Sequence, residues 1–295
     1  MNALHTLLSG AIDYAGLFPP AKLDMDSAVR NYAAYRSGRH AWALGRFIVP
    51  AGRLSEFRQA LGGVAVSATE PWRVSALVGP GTKDEIAAIT GFNKAGIHGV
   101  SALVDSIEVR ASTADEIRHF RNAIPQAFEI FVEIPLDPDP GPLVETIRGM
   151  GLKSKVRTGG VTTESFPSSM DLAGFIDSCH KNNVPFKATA GLHHPLRAQY
   201  RLTYEPDGPR GTMFGFLNLL LAAGVASRGG KTSEINNVLT EESASSFRFN
   251  ESAISWNHYR LDIGSITSLR NELAVSIGSC SFTEPMEGLT SLGLL

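Results

Sequence analysis

Apolar positions along this chain recur in two rhythms, a short run with period two and then a longer run with helical period, over and over. Two period-two runs near the middle are the clearest. Residues 152–160 and 184–191 are each short, rich in β-formers or small residues, and closed by glycine. A helix-length segment separates them, so they read as a parallel βαβ pair. Alternation puts Leu152, Ser154 and Val156 on one face and Lys153, Lys155 and Arg157 on the other. In the second run Phe186 and Ala188 share a face, opposite Pro185, Lys187 and Thr189. An apolar outer face suits covering helices. Lys155, Arg157 and Lys187 then converge inside, at the C-terminal ends of neighbouring strands.

The same rhythm predicts strands over residues 11–15, 42–49, 72–78, 99–104 and 128–134 before this pair, and over 274–282 after it. Arg46 and Ile48 face one way in the second strand, Glu129, Phe131 and Glu133 in the fifth, and the fourth ends near Asp105. Helices are predicted over 2–8, from Asp24 or Asp26 to Tyr35, and over 53–61, 83–95, 115–122, 142–150, 171–181 and 213–226. Thr82 with Glu85, and Ser168 with Asp171, supply N-terminal caps. Residues 233–250 and 254–273 read as mostly helical. Lys155 thus sits on strand six and Lys187 on strand seven of a single α/β domain spanning 1–295, a (β/α)8 barrel with a long loop and extra helices after strand seven. An open doubly wound sheet fits less well, because no glycine-rich loop follows the first strand. Residues 193–212 are polar and carry Arg197, Tyr200, Arg201, Tyr204, Glu205 and Arg210, the composition of a lid or subunit contact.

Composition narrows the partners. The 295 residues carry a formal net charge of -2 without a long basic run, which argues against nucleic acid and against an anionic membrane surface. Apolar runs are too short to span a bilayer. Cys179 and Cys280 are the only cysteines, too few for a disulfide scaffold, so a reduced cytoplasmic compartment is expected. Association into a homo-oligomer stays open.

The chemistry rests on the lysines. Neighbouring cations disfavour one another's protonated forms, and a neutral amine is the species that attacks a carbonyl to form an imine. The same cations could instead clamp an anion, with the Gly159 and Gly160 amides beside them. Glu133 is a general acid or base, or an ion-pair partner of Lys155 or Arg157. Arg46 is an anion clamp, or a structural partner of Glu129 or Glu133. Of the adjacent His193 and His194 only one should reach the centre. A metal held by one of them with Glu133 and Asp105 is disfavoured by the nearby cations. Cys280 can face the lumen near Glu284, where a small residue for a crowded barrel is the simpler reading than a thiol nucleophile.

Lys155-Val156-Arg157-Thr158-Gly159, followed by Lys187-Ala188-Thr189-Ala190-Gly191, resembles the paired strand-end motifs of the deoxyribose-phosphate aldolase family. Members are single-domain barrels that join or cleave small aldehydes, with a Schiff-base lysine on strand six and an activating lysine on strand seven. The resemblance implies the first role for Lys155 and the second for Lys187. It spans residues 152–191 and has departures. Arg157 stands where a small hydroxyl residue is usual, Ala190-Gly191 replaces a glycine pair, and His193-His194 follows. The family's proton-relay aspartate has no match by motif; Asp105 and Asp13 stand at suitable strand ends.

The expectation is a metal-free, cofactor-free lyase of aldolase type. Its substrate would be a small phosphorylated or carboxylated carbonyl compound bound as an imine on Lys155. Lys187, Glu133 and Asp105 would assist catalysis, and Arg46, Arg157, Gly159, Gly160, His193, His194 and Asp13 would bind substrate. Two other classes remain: a transferase or isomerase binding an anionic substrate non-covalently in a cationic mouth, and a non-enzymatic ligand-binding or assembly protein.

Overall fold

Eight strands that bury one face under helices and point the other at a common axis close on themselves. In the computed structural model, which describes residues 2–64, 71–79, 82–95 and 102–295, they are β1 (Ile12–Tyr14), β2 (Leu44–Pro50), β3 (Trp72–Leu77), β4 (Ala102–Arg110), β5 (Glu129–Glu133), β6 (Lys153–Arg157), β7 (Phe186–Thr189) and, much later, β13 (Ala274–Ser279). All neighbours pair in parallel and the ring closes between β13 and β1. This is a (β/α)8 barrel.

Helices follow the predicted spans closely: α1 (Ala3–Leu8), α2 (Met25–Ser37), α3 (Leu54–Leu61), α4 (Thr82–Ala95), α5 (Ala114–Ala123), α6 (Gly141–Gly149) and α7 (Ser169–Lys181). Their starts are set by side chains that accept from otherwise unpaired backbone amides. Asp24 accepts from Ser27 N, and Ser168 from Asp171 N. Thr113 and Glu116 form a reciprocal capping box. Glu85 does not cap through Thr82 as expected; its carboxylate accepts from Gly79 N. Pro80 and Gly81, also assigned to that turn, lie outside the described residues.

Strand four differs from the prediction in a way that matters. Residues 99–101 of the predicted strand lie outside the described residues, and the observed strand runs on to Arg110. Pairing with β3 passes from Val74↔Val104 to Ser75↔Ser106, leaving Asp105 as the extra residue of a bulge. A one-residue slip exchanges the two faces of everything after it. Ser106 and Glu108, which share parity with the outward Val104, therefore turn into the lumen.

The insertion after β7 is the other departure. The expected loop holds an antiparallel hairpin, β8 (Ala198–Arg201) with β9 (Arg210–Met213). The helix α8 (Phe216–Ser227) is buried over almost its whole length, since α7, α9 (Thr232–Thr240), α10 (Ile263–Glu272) and β13 surround it. Between α9 and α10, where helix was expected, lies a three-stranded antiparallel sheet: β10 (Phe247–Phe249), β11 (Ala253–Trp256) and β12 (Tyr259–Asp262). Its alternation is real but short: Ala253, Ile254 and Trp256 are buried while Arg248, Arg260 and Asp262 are exposed. The last helix, α11 (Thr283–Ser291), buries Pro285, Met286 and Leu289. Among the described residues no helix is long and apolar enough to cross a membrane.

Candidate active site at the C-terminal mouth

Inward-facing side chains divide the lumen into two charged levels. Arg46 lies in the first half of β2, Asp105 sits at the bulge, and Glu129 and Lys153 open β5 and β6, so all four lie towards the N-terminal end. Arg46 is bonded to Asp105 at 2.7 Å and to Glu129 at 2.8 Å, Arg73 reaches Asp105 at 2.7 Å, and Lys153 reaches Glu129 at 2.8 Å. Burial would lower the Arg46 pKa, but Asp105, Asp13 and Glu129 outweigh it and hold the guanidinium above its ordinary value. Phe131, fully buried, lies between the levels, with Lys153 Nζ 5.5 Å and Lys187 Nζ 5.3 Å from its ring centroid. Arg46 and Asp105, expected at the mouth, are thus placed at the opposite end of the barrel. Counting strands gave their strand but not their height along it.

The upper level is built on Glu108. Lys187, wholly buried, donates to Asp13 Oδ2 at 2.6 Å and to Glu108 Oε1 at 2.7 Å. The other Glu108 oxygen lies 2.8 Å from Lys155 Nζ, and Glu133 Oε2 lies 2.9 Å from the same nitrogen. Ser75 donates to Glu108 and Ser276 to Asp13. Arg157, more than half exposed, stands 3.6 Å from Glu133 Oε1. Three carboxylates therefore offset three cations, and the mouth is not the cationic funnel expected. For Lys187, burial would lower the pKa, but Asp13 and Glu108 outweigh it and raise it. Any lowering of Lys187 by Lys155 is overridden because Glu108 stands between the two. Burial would likewise raise Glu108 and Glu133; the lysines outweigh it and hold both below the usual carboxylate range.

A cavity of about 250 Å³ opens above this network. Glu108, Lys155, Arg157, Gly160, Thr189, His193 and Cys280 are in its wall; Lys187, Asp13 and Glu133 are not. Apolar side chains, Phe18, Ile48, Leu77 and Val161 among them, complete it. Asp13, expected to touch substrate, instead holds Lys187 from below and accepts from Arg46 N at 2.8 Å. Gly159, expected to offer its amide, lies against the Phe166 ring: a Cβ there would clash with Cε1. Gly191 serves the same ring and turns the chain at φ +73° after Ala190 at +70°. Thr158 Oγ1 ties this turn to β6 by donating to Ala190 O at 2.6 Å.

The histidines part company. His193 is buried, its Nδ1 3.2 Å from Glu284 Oε2 and 3.2 Å from Ser279 Oγ. Burial would lower its pKa, but Cys280 and Glu284 outweigh that and push it up to about 9. His194 points away from the cavity and stacks on Tyr200 of β8 at 3.6 Å. Burial, with His193 beside it, pulls it down to about 4. The metal set considered from sequence is not assembled, since Asp105 is at the far end and Glu133 is on Lys155. Residues 193–212 do reach the mouth: Tyr204, at the hairpin tip, lies 3.6 Å from Cys280 Sγ.

Sequence reasoning missed Glu108, and also Ser75 and Ser276, which position the carboxylates. The period-two run Ser106-Ile107-Glu108-Val109 was a signal for a longer strand, but only the bulge turns it inward. No protein-family model matches this chain, and a search of curated proteins finds no match.

Proposed function

We propose that the protein is a lyase that makes or breaks a carbon–carbon bond through an imine between Lys155 and a small carbonyl compound bearing a phosphate or carboxylate. The observation that carries this reading is the division of labour between the two lysines. Lys155 is in the cavity wall; Lys187 is sealed beneath it by Asp13 and Glu108. Only one amine is open to a substrate, and it is flanked by two carboxylates at 2.8 and 2.9 Å that can take and return its protons. After losing a proton to Glu108 or Glu133, Nζ adds to the carbonyl carbon. The oxygen, protonated, leaves as water, and the resulting iminium accepts the electron pair of the bond that breaks. Arg157, exposed and only loosely paired, is free to meet the anionic group. A volume near 250 Å³ fits a substrate of a few carbons and one such group.

The test is reductive trapping. The protein is incubated with small aldehydes and 2-oxo acids, with and without a phosphate, then treated with borohydride and mapped by mass spectrometry. An adduct on Lys155, absent in Lys155→Met, is expected. Undiminished turnover by Lys155→Met would overturn the reading and leave a non-covalent anion site.

A further inference from the structure

The cavity has a second reactive wall, made by groups the imine chemistry does not use. Cys280 follows β13, and its Sγ lies 3.9 Å from both ring nitrogens of His193 and 3.6 Å from Tyr204 Oη. His193 comes from the exit of β7, Tyr204 from the hairpin tip, and Glu284, 3.2 Å from Nδ1 of the imidazole, from the first turn of α11. Residues from two other parts of the chain, His193 and Tyr204, thus meet one sulfur. Cys280 and His193 are each only 5% exposed, and both line the cavity that Lys155 lines. Among the described residues no cluster of His, Cys, Asp or Glu is arranged to hold a metal ion, this one included. Cys179 is the contrast. It is wholly buried in α7, is not in the wall of the mouth cavity, and burial pushes its thiol up.

We propose that Cys280 is a second nucleophile of the mouth, with His193 as its proton donor and acceptor and Glu284 orienting the imidazole, and that it adds reversibly to the carbonyl carbon of a small aldehyde. Placing that aldehyde as the fragment that leaves or joins the Lys155 adduct rests on the function proposed above; the reactivity of the thiol does not. Sulfur, as the thiolate, forms the S–C bond. The π pair of the carbonyl moves to oxygen, which takes the Nε2 or Nδ1 proton of the imidazolium, giving a hemithioacetal. Collapse returns the pair to carbon–oxygen, the proton to His193 and the negative charge to sulfur, so no oxidant or further reactant is needed. Held above its ordinary value, His193 is the imidazolium at neutral pH. Burial, with Cys280 and Glu284, holds the Tyr204 phenol protonated as a further donor over the same atoms.

The experiment is alkylation of the full-length chain by iodoacetamide at pH 7 with peptide mapping, Cys179 serving as the internal control. Cys280 is expected to react roughly tenfold or more faster than the thiol of glutathione, and His193→Gln to slow it by about tenfold. Should His193→Gln fail to fold by circular dichroism, Glu284→Gln carries the test, with a drop of roughly threefold expected. Propanal should protect Cys280 saturably, in the unaltered chain and in Lys155→Met alike. A Cys280 that reacts no faster than glutathione, is indifferent to the folded variant, or is not protected by propanal would overturn the proposal. The two readings fail separately. A borohydride adduct on Lys155 beside an inert Cys280 ends this one, whereas a protected, reactive Cys280 with no Lys155 adduct ends the imine.

Discussion

Replacing Lys187 by methionine tests the upper charge network most directly. The ammonium is wholly buried and offsets two carboxylates at 2.6 and 2.7 Å, one of which, Asp13, is itself only 1% exposed. Methionine fills similar space, so the cost comes mainly from stranded negative charge rather than from a void. Breaking one side of a buried pair costs about 3–5 kcal/mol, and at this chain length each kcal/mol moves the melting temperature by about 2 °C. Lys187→Met should therefore melt roughly 6–10 °C lower at pH 7. The pH dependence has a definite sign. Glu108 is held below its ordinary value, so its stabilising share is present above about pH 4.3 and fades as pH falls through the native-state value. Lys187 is raised, so its share is full below about pH 10.4 and fades only above its native-state value. The deficit of the variant should thus be widest at neutral pH and shrink towards pH 4, where the stranded carboxylates can take protons. Adding Glu108→Gln, which removes half of the stranded charge, should recover part of the loss. Urea titrations at pH 7 and pH 4 give both numbers. A variant as stable as the parent at pH 7, or a deficit that widens on acidification, would refute the reasoning.

Three further outcomes are expected. Because His193 is raised from 6.5 to about 9, its pairing with Glu284 is fully present below pH 6.5 and lost as pH rises through about 9; the stability gap between parent and His193→Gln should fall by about 2–4 kcal/mol over that window, and a flat gap would contradict the pairing. Gly191→Ala forces a side chain onto φ +73° and puts a Cβ 2.9 Å from Phe166 Cε1, so it should cost about 1–3 kcal/mol in urea, and an unchanged midpoint would show the turn is not strained. Arg157→Met should raise the concentration of a carboxylated carbonyl needed for half-maximal trapping by about 10–100-fold, the worth of one charge-assisted bond, while Arg46→Met should lower stability and leave that concentration alone. Equal effects on trapping would mean the two levels of the lumen are not separate.

What the chain's own pattern determined is the repeating unit and the facing of its best strands. Period two in residues 153–157 and 186–189 put Lys155 and Lys187 inside, and eight such units spaced by helices leave little but a closed barrel. Local chemistry was legible in the same way, as in the Asp24 and Ser168 caps, because each depends on residues three apart. Heights along the barrel axis were not legible. They depend on strand stagger, so Arg46 and Asp105 could be assigned to the lumen but not to its N-terminal end. The bulge at Asp105 was equally hidden, since one extra residue leaves the composition of a strand unchanged while reversing its faces, and with it went Glu108, the group that bridges both lysines. The antiparallel sheet at residues 247–262 escaped for a related reason: strands of three or four residues are too short for period two to stand out from period 3.6. The meeting of Cys280, His193, Tyr204 and Glu284 lies furthest from the sequence. These residues are up to 91 positions apart, Glu284 against His193, and are brought together by the pairing of the last strand with β7 across the long insertion between them. Contacts of that range are set by the tertiary fold, because nothing in the local chain energetically distinguishes a cysteine that will face a histidine from one that will face a core.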